Sequence, residues 1–366
     1  MPAFAKASGF AKATPDKSPD KSAGKAFSFL PRYTIAMGIE LAPLHIGGIE
    51  ISPPVVLAPL AGYTDLPYRL ICRRLGAPYC STEMMLDRQL MLPGKLRRRL
   101  IHLAEDDHPV AGQIVGNDPQ QMATAAAELS AVGFDAVDLN FACPVRKVLA
   151  RRRGGFMLKQ PDLAGEIVRA VVAAAEGPVT VKLRMSFNAE VDSGDSFRRI
   201  AEGAFDAGAA AICLHPRSVE QRYTGQADWE CLAAVKRHFH DKVIIGSGDV
   251  RDPASVVAMI EQTGVDGVAV ARAAIGNPWF FRQLADLLAG RPEAAPTLAE
   301  QRELIRGHFD HAVEIYGPRR GPRIMRKFGI KYTRVHPAPA RVRAAFVTVK
   351  TPADWQGVLD TFYANG

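Results

Sequence analysis

From Ile39 onward the chain is written in short β-branched runs separated by longer stretches compatible with helix. The runs at 55–58, 79–83, 110–115, 136–140, 179–183, 211–214, 243–246 and 267–271 predict core strands. The segments 66–75, 119–132, 161–175, 195–207, 228–239 and 253–262 between them predict helices. Eight strands with helices recurring between them point to an α/β fold closed as a (β/α)8 TIM barrel. The alternative, an open doubly wound sheet, would hold its parallel strands without an obvious dinucleotide fingerprint.

A further helix is expected near Pro278, and 290–296 reads as a linker. Beyond it, 298–315, 323–332, 338–348 and 354–363 read as helices with no strand between them. Pro322 and Pro339 suit first helical turns, while Pro318 and Pro337 interrupt what precedes them. The expected division is a barrel over 39–290 and a helical domain over 297–363. Residues 1–30, rich in Ala, Lys, Ser and Pro, predict a flexible basic tail without the apolar core of a signal peptide. Its two acids and its prolines also make it a poor organellar targeting segment.

Composition narrows the class. Of 366 residues, 48% are hydrophobic and 23% charged, which excludes a disordered or fibrous chain. Apolar runs such as that ending at Ala271, which Arg272 breaks, fall well short of the roughly 18 residues a membrane span needs. Five cysteines with no CxxC pair argue against a disulfide framework and for a reducing, cytoplasmic setting. A monomer with no membrane partner is expected.

The net charge of +8 has an address. Between 317 and 350 stand Arg319, Arg320, Arg323, Arg326, Lys327, Lys331, Arg334, Arg341, Arg343 and Lys350, with no Asp or Glu. Ordinary solvated faces mix signs more than this, so the stretch points to a phosphate backbone. Arg151, Arg152 and Arg153 are positioned to extend that surface to the barrel rim.

The residues able to carry chemistry collect at the C-terminal ends of the predicted strands, where barrels house their sites. Pro59 and Leu60 follow the first strand, Gln113 lies late in the third, and Asn140 and Cys143 leave the fourth. Lys182 and Arg184 close the fifth, and His215 follows the sixth. An inward Lys182 needs an anionic partner, either an acid such as Glu83 or Asp138 or a polar cofactor. Gly246, Ser247, Gly248 and Asp249, with Ala271 and Arg272 beside them, form the kind of strand-seven and strand-eight loops that hold a phosphate. Cys143, in a βα loop just before Pro144, suits either a nucleophile or a proton donor. No cluster of His, Cys and carboxylates stands at metal-ligand spacing.

The order of motifs resembles that of the tRNA-dihydrouridine synthase family, nearest in impression to its bacterial B-like group. The resembling pieces are Ala58-Pro-Leu-Ala-Gly-Tyr-Thr-Asp65 with Arg69, Gly112-Gln-Ile-Val-Gly116, Asp138-Leu-Asn-Phe-Ala-Cys-Pro144 and Pro178-Val-Thr-Val-Lys-Leu-Arg184. They continue with Leu214-His-Pro-Arg217, Tyr223-Thr-Gly-Gln-Ala-Asp-Trp229, Gly246-Ser-Gly-Asp249 and Arg272-Ala-Ala-Ile-Gly-Asn-Pro-Trp279, and Arg326-Lys-Phe-Gly-Ile-Lys-Tyr332 resembles the family's helical segment. The resemblance implies reduction of the C5=C6 bond of D-arm uridines in tRNA by FMN, with NADPH or NADH as reductant. It further implies that Pro59, Leu60, Ala61, Gln113, Lys182 and His215 hold the flavin ring, and Gly246, Ser247, Gly248, Ala271 and Arg272 its phosphate. Asn140 and Arg184 would contact the uridine, Cys143 would donate the proton, and Arg326, Lys327 and Arg334 would meet RNA phosphates.

The chain departs from the family at Ala142, Ala271 and Ala273, where glycine is usual, and at Ser186 and Ser247. An alanine excludes positive φ, which makes the loop geometry at these positions a question for the structure. Two competing functions remain. Another FMN barrel acting on a free pyrimidine or enone leaves the basic stretch unexplained, and a non-catalytic RNA-binding protein leaves the strand-end constellation unexplained.

Overall fold

The chain enters the fold through a hairpin. Strands β1 (Leu44–Ile46) and β2 (Ile49–Ile51) pair antiparallel about Gly47 and Gly48, and Gly47 takes φ +58°, the left-handed conformation that a two-residue hairpin demands. The computed structural model describes residues 38–188 and 195–364. The expected tail at 1–30 lies outside them.

The strands that follow are β3 (Val55–Leu57), β4 (Cys80–Ser81), β5 (Met85–Leu86), β6 (Val110–Val115), β7 (Ala136–Phe141), β8 (Val179–Arg184), β9 (Ala211–His215), β10 (Ile244–Ser247) and β11 (Gly267–Val270). All pair in parallel. β3 joins β11 on one side and β4 on the other, and β4 also pairs with β6, so an eight-stranded ring closes with β5 as a short addition along β6. The expected TIM barrel is the observed one.

Alternation along each strand sorts the residues. At the bottom of the barrel the inward positions are mostly small (Ala111, Ala136, Ala211 and Ala269), and the space they leave is filled from below by Leu44, Ile46 and Ile51 of the hairpin. Gly267 is part of that fit, because a β-carbon there would lie 2.7 Å from Leu44 Cδ2. Outward residues such as Ile114, Leu139, Val181, Ile212 and Val268 pack under the helices.

Most of those helices begin as the prolines suggest. Asp118, Asp228 and Asp252 cap helices Pro119–Val132, Trp229–His238 and Pro253–Thr263 by accepting from main-chain N–H groups, and Gly133 and Gly264 end two of them in the left-handed conformation.

Four helices, Leu298–Tyr316, Gly321–Tyr332, Pro339–Thr348 and Pro352–Phe362, follow the barrel. Their apolar faces continue the barrel's core: Phe328 packs against both Tyr63 and Tyr68. Gly276 brings the backbones together, since a β-carbon there would stand 2.2 Å from the Lys331 carbonyl oxygen. Beneath the contact lies a buried ion pair, with Arg69 donating from Nε to Asp107 Oδ1 at 3.0 Å. Among the described residues no helix is long and apolar enough to cross a membrane.

The hairpin, β5, and the short helices Asp87–Met91, Lys95–Leu100 and Arg146–Leu149 had no counterpart in the sequence reading. Elements of two to six residues are too short for a period to show.

The plug gives a stability test remote from the mouth. Leu44→Ala should cost about 2–5 kcal/mol, the range for emptying a buried leucine site. Urea unfolding checks it, with the expectation of a lower midpoint at unchanged m.

Candidate active site

The strand ends surround a cavity of about 730 Å³ at the C-terminal mouth, within the range of cofactor sites. Pro59, Leu60, Ala61, Gln113, Asn140, Cys143, Lys182, Arg184, His215, Ser247, Gly248, Ala271, Arg272 and Arg334 all line it. Gly246 does not. It falls on the outward face of β10, where a β-carbon would lie 2.7 Å from Met259 Sδ, so its lack of a side chain serves helix packing.

Gln113 and Asn140, which line the cavity, belong to a buried row of polar groups brought into line by strand register. Gln113 lies opposite Asp138, and Asp138 opposite Thr180. Thr180 Oγ1 donates to Asp138 Oδ1 (2.7 Å), Gln113 Nε2 to Asp138 Oδ2 (2.6 Å), and Asn140 Nδ2 to Gln113 Oε1 (2.8 Å). Asn140 Oδ1 then accepts from the main-chain N–H groups of Ala142 (3.2 Å) and Cys143 (3.0 Å). Both ends fix the direction of this chain, because N–H groups only donate there and the acid accepts. Burial raises the Asp138 carboxyl, against the lowering effect of those hydrogen bonds and of Lys182.

Cys143 is thereby held by its own backbone. Gly155 N–H donates to its carbonyl (3.1 Å), and a β-carbon on Gly154 would come within 3.0 Å of Cys143 Cβ. Burial pushes the thiol above its ordinary range, which keeps it protonated at neutral pH.

Lys182 forms no ion pair within 4 Å among the described residues. Its Nζ donates to Cys213 Sγ at 3.2 Å, while Asp138 is near enough only to be felt electrostatically. Glu83, the other acid considered, accepts instead from Gly62 N–H and so ties down the loop that carries Pro59, Leu60 and Ala61. The ammonium therefore stands at the cavity without a carboxylate partner in contact.

Arg184 is buried, and its donors reach the carbonyls of Ala142 (2.9 Å), Ser218 (2.8 Å) and Arg222 (2.8 Å), bracing the cysteine loop. Tyr223, 53% exposed at the rim, stands near the guanidinium groups of both Arg184 and Arg272.

His215 is neutral: burial, then the charges of Lys182, Arg184 and Arg217, lower it to about 2. Arg217, present in the sequence motifs without a role, is joined at 2.6 Å to Asp249 of the expected phosphate loop. Their separation in sequence left only motif membership as a signal.

Of the residues expected to meet RNA, Arg326 is exposed on helix Gly321–Tyr332. Arg334 is exposed at the mouth, with Nη1 donating to the Ala273 carbonyl at 3.3 Å. Lys327 is half-buried over the Tyr63 and Phe328 rings, facing Asp65 and Glu83. Arg153 is buried, 3.6 Å from Asp87, while Arg151 and Arg152 are exposed.

None of Ala142, Ser186, Ser247, Ala271 and Ala273 adopts positive φ. The added methyls therefore carry no backbone strain.

Two measurements follow. Alkylation of Cys143 by iodoacetamide, tracked by peptide mass spectrometry against pH, should show an apparent pKa above that of a free thiol, since only the thiolate reacts. The second concerns Asp65, which caps helix Leu66–Arg74 and accepts from Tyr316 Oη at 2.7 Å. Burial raises its carboxyl from 3.8 to about 6, opposed by the Tyr316 bond. The folded state thus holds this proton more tightly than the unfolded chain. The stabilisation is complete below about pH 4 and lost as pH rises through about 6, an effect of roughly 2–3 kcal/mol. Asp65→Asn should remove that decline and be the more stable protein at pH 8 in denaturant titrations.

The architecture is shared with longer solved chains of low sequence identity. Histamine dehydrogenase from Rhizobium sp. 4-9 superposes with a TM-score of 0.54 at 16% identity over 73% of this chain and 50% of that one. A 2-naphthoyl-CoA reductase does so with 0.56 at 13% over 68% and 52%, so this chain spans about half of each and the likeness is one of fold. Sequence relatives are far closer. tRNA-dihydrouridine synthase B of Xanthomonas campestris pv. campestris is 38% identical over 311 residues, 84% of this chain and 92% of its own. A probable tRNA-dihydrouridine synthase of Mycobacterium tuberculosis is 37% identical over 87% of this chain and 84% of its own. The dihydrouridine synthase family model matches residues 56–365, and with the barrel mouth and relatives just described, the chain belongs to that family.

Proposed function

We propose that this protein reduces the C5=C6 bond of D-arm uridines in tRNA, with FMN held in the barrel mouth and NADPH or NADH as the reductant. The observation that carries the reading is the one cavity in which Cys143, Lys182, His215, Gly248 and Arg272 meet. The donor set suits FMN. Gly248, at φ +113°, could not carry a β-carbon without meeting Ala227 Cβ at 2.9 Å, so the loop presents bare backbone, and Arg272 stands beside it as a cation for a phosphate.

When bound, FMN supplies the hydride for uracil C6. The protein's own part is positional and electrostatic. Lys182, lining the cavity without a carboxylate in contact, would hold the flavin ring and offset negative charge developing on it, and His215 and Gln113 would add polar contacts. Asn140 has its oxygen committed to the Cys143 loop, which leaves one Nδ2 hydrogen for a uracil carbonyl. Cys143, protonated and backbone-held at the cavity wall, would supply the proton for C5. Arg184 acts on this step by bracing the Ala142 carbonyl, and it also lines the cavity where the base enters. The exposed cations on the C-terminal helices meet phosphates, Arg326 and Arg334 among them, with Lys327 at the junction. A cytoplasmic monomer suffices for all of this.

The test is direct. Purified protein should be yellow, with an FMN spectrum, and should convert uridine to dihydrouridine in tRNA but not as the free nucleoside; reduction of free uridine or an enone alone would replace the reading with a small-molecule reductase. Cys143→Ala should keep its flavin and its reduction by nicotinamide yet lose single-turnover reduction of tRNA by about 10²–10⁴-fold, the usual weight of a positioned acid.

A second measurement addresses the surface. Neutralising Arg323, Arg326 and Arg341 together should lower the slope of log affinity against log salt by about 2–3, near 0.7–0.9 per lost phosphate contact. An unchanged slope would move the RNA surface elsewhere.

A further inference from the structure

Arg217 is 1% exposed, the most enclosed cation at the mouth. Its Nε donates to the Thr224 carbonyl (3.2 Å), and its Nη2 to the Gly225 carbonyl (2.8 Å) and both Asp249 oxygens (2.8 and 2.6 Å). Its Nη1 lies 3.2 Å from His215 Nε2. A guanidinium has no acceptor and does not lose its proton, so this last contact is a hydrogen bond only if Nε2 offers a lone pair.

We propose that Arg217 is a positioning residue that fixes His215 as the neutral tautomer carrying its proton on Nδ1, so that the imidazole meets the flavin as a hydrogen-bond donor. The tautomer follows from this chain alone; the flavin as its acceptor rests on the cavity reading above.

Three observations support it. The ring is surrounded by Lys182, Arg184 and Arg217, with Asp249 the opposing charge, so the doubly protonated form is excluded and one nitrogen must be bare. Arg217 cannot turn away to release that nitrogen, because Asp249 and two carbonyls hold the other edges of the guanidinium. Asp249 is itself fixed, taking φ +57° and accepting from Ala227 N–H at 2.7 Å. A free histidine in water prefers the proton on Nε2, so the protein imposes the less favoured form. The same side chain ties the end of β9 to the loop after β10, so imidazole orientation and phosphate-loop position are set together.

The test is long-range ¹H–¹⁵N correlation of the histidine rings in the ¹⁵N-labelled holoenzyme, with the His215 pattern identified by its loss in His215→Gln. A pyrrole-type Nδ1 and pyridine-type Nε2 at neutral pH are expected. A protonated Nε2, or an imidazolium, overturns the proposal, and this arm needs no Arg217 variant to fold. Arg217→Met should shift the pattern toward a protonated Nε2; an unchanged pattern means something else sets the tautomer and overturns it too. Should the single variant not fold, Arg217→Met with Asp249→Asn leaves no carboxylate without its cation and reads the same shift. Adding FMN to flavin-depleted protein should move the Nδ1 resonance, and no movement overturns the donor role. Flavin content, read separately by absorbance, keeps the two readings apart: a flavin-free protein with the expected tautomer sinks the cofactor assignment alone.

Discussion

A polar row buried inside a barrel must satisfy every member, and here that requirement orders the whole mouth. Thr180, Asp138, Gln113 and Asn140 come from three neighbouring strands and can bond in sequence only because the register of β6, β7 and β8 sets them side by side. A slip of one residue would turn the row outward and bring Val137 and Leu139 into the mouth. The row ends on the backbone of Ala142 and Cys143, so a constraint on strand pairing becomes a constraint on where a thiol sits. Asp138 does not need to touch a ligand to matter, since it decides which way two amides face.

Around this row the charges are unevenly balanced. Lys182, Arg184, Arg217, Arg272 and Arg334 reach the mouth or its wall, against Asp138 and Asp249. Asp249 is held below the usual carboxylate range: burial raises it, and the bonds from Arg217 and Ala227 N–H outweigh that. A site built this way attracts phosphate and stabilises negative charge that develops in a bound ring.

Much of this was legible in the sequence because parallel strands are short and apolar and their ends carry the odd residues. Gln113, Asn140, Cys143, Lys182 and His215 were visible as chemistry at strand ends, and all five line one cavity. What the sequence hid were the pairings. It offered Glu83 or Asp138 for Lys182, yet Glu83 secures Gly62, and Asp138 belongs to the polar row. It placed Gly246 with the phosphate loop, although strand alternation turns that residue toward Met259. Arg217–Asp249 and Arg69–Asp107 join residues 32 and 38 apart, with no local period to announce them. The β1–β2 hairpin had a signal, an apolar alternation broken by Gly47 and Gly48, but strands of three residues carry too little of it.

That hairpin has a kinetic consequence. With Leu44, Ile46 and Ile51 stopping the lower end, the cavity communicates with solvent through its upper rim, where the C-terminal helices also stand. On the proposed function, a nicotinamide and a nucleobase would both have to reach the cavity through that one doorway. Sharing that doorway would make turnover a two-stroke cycle, with each visitor departing before the next arrives, and an excess of RNA would stall it by barring its own reductant.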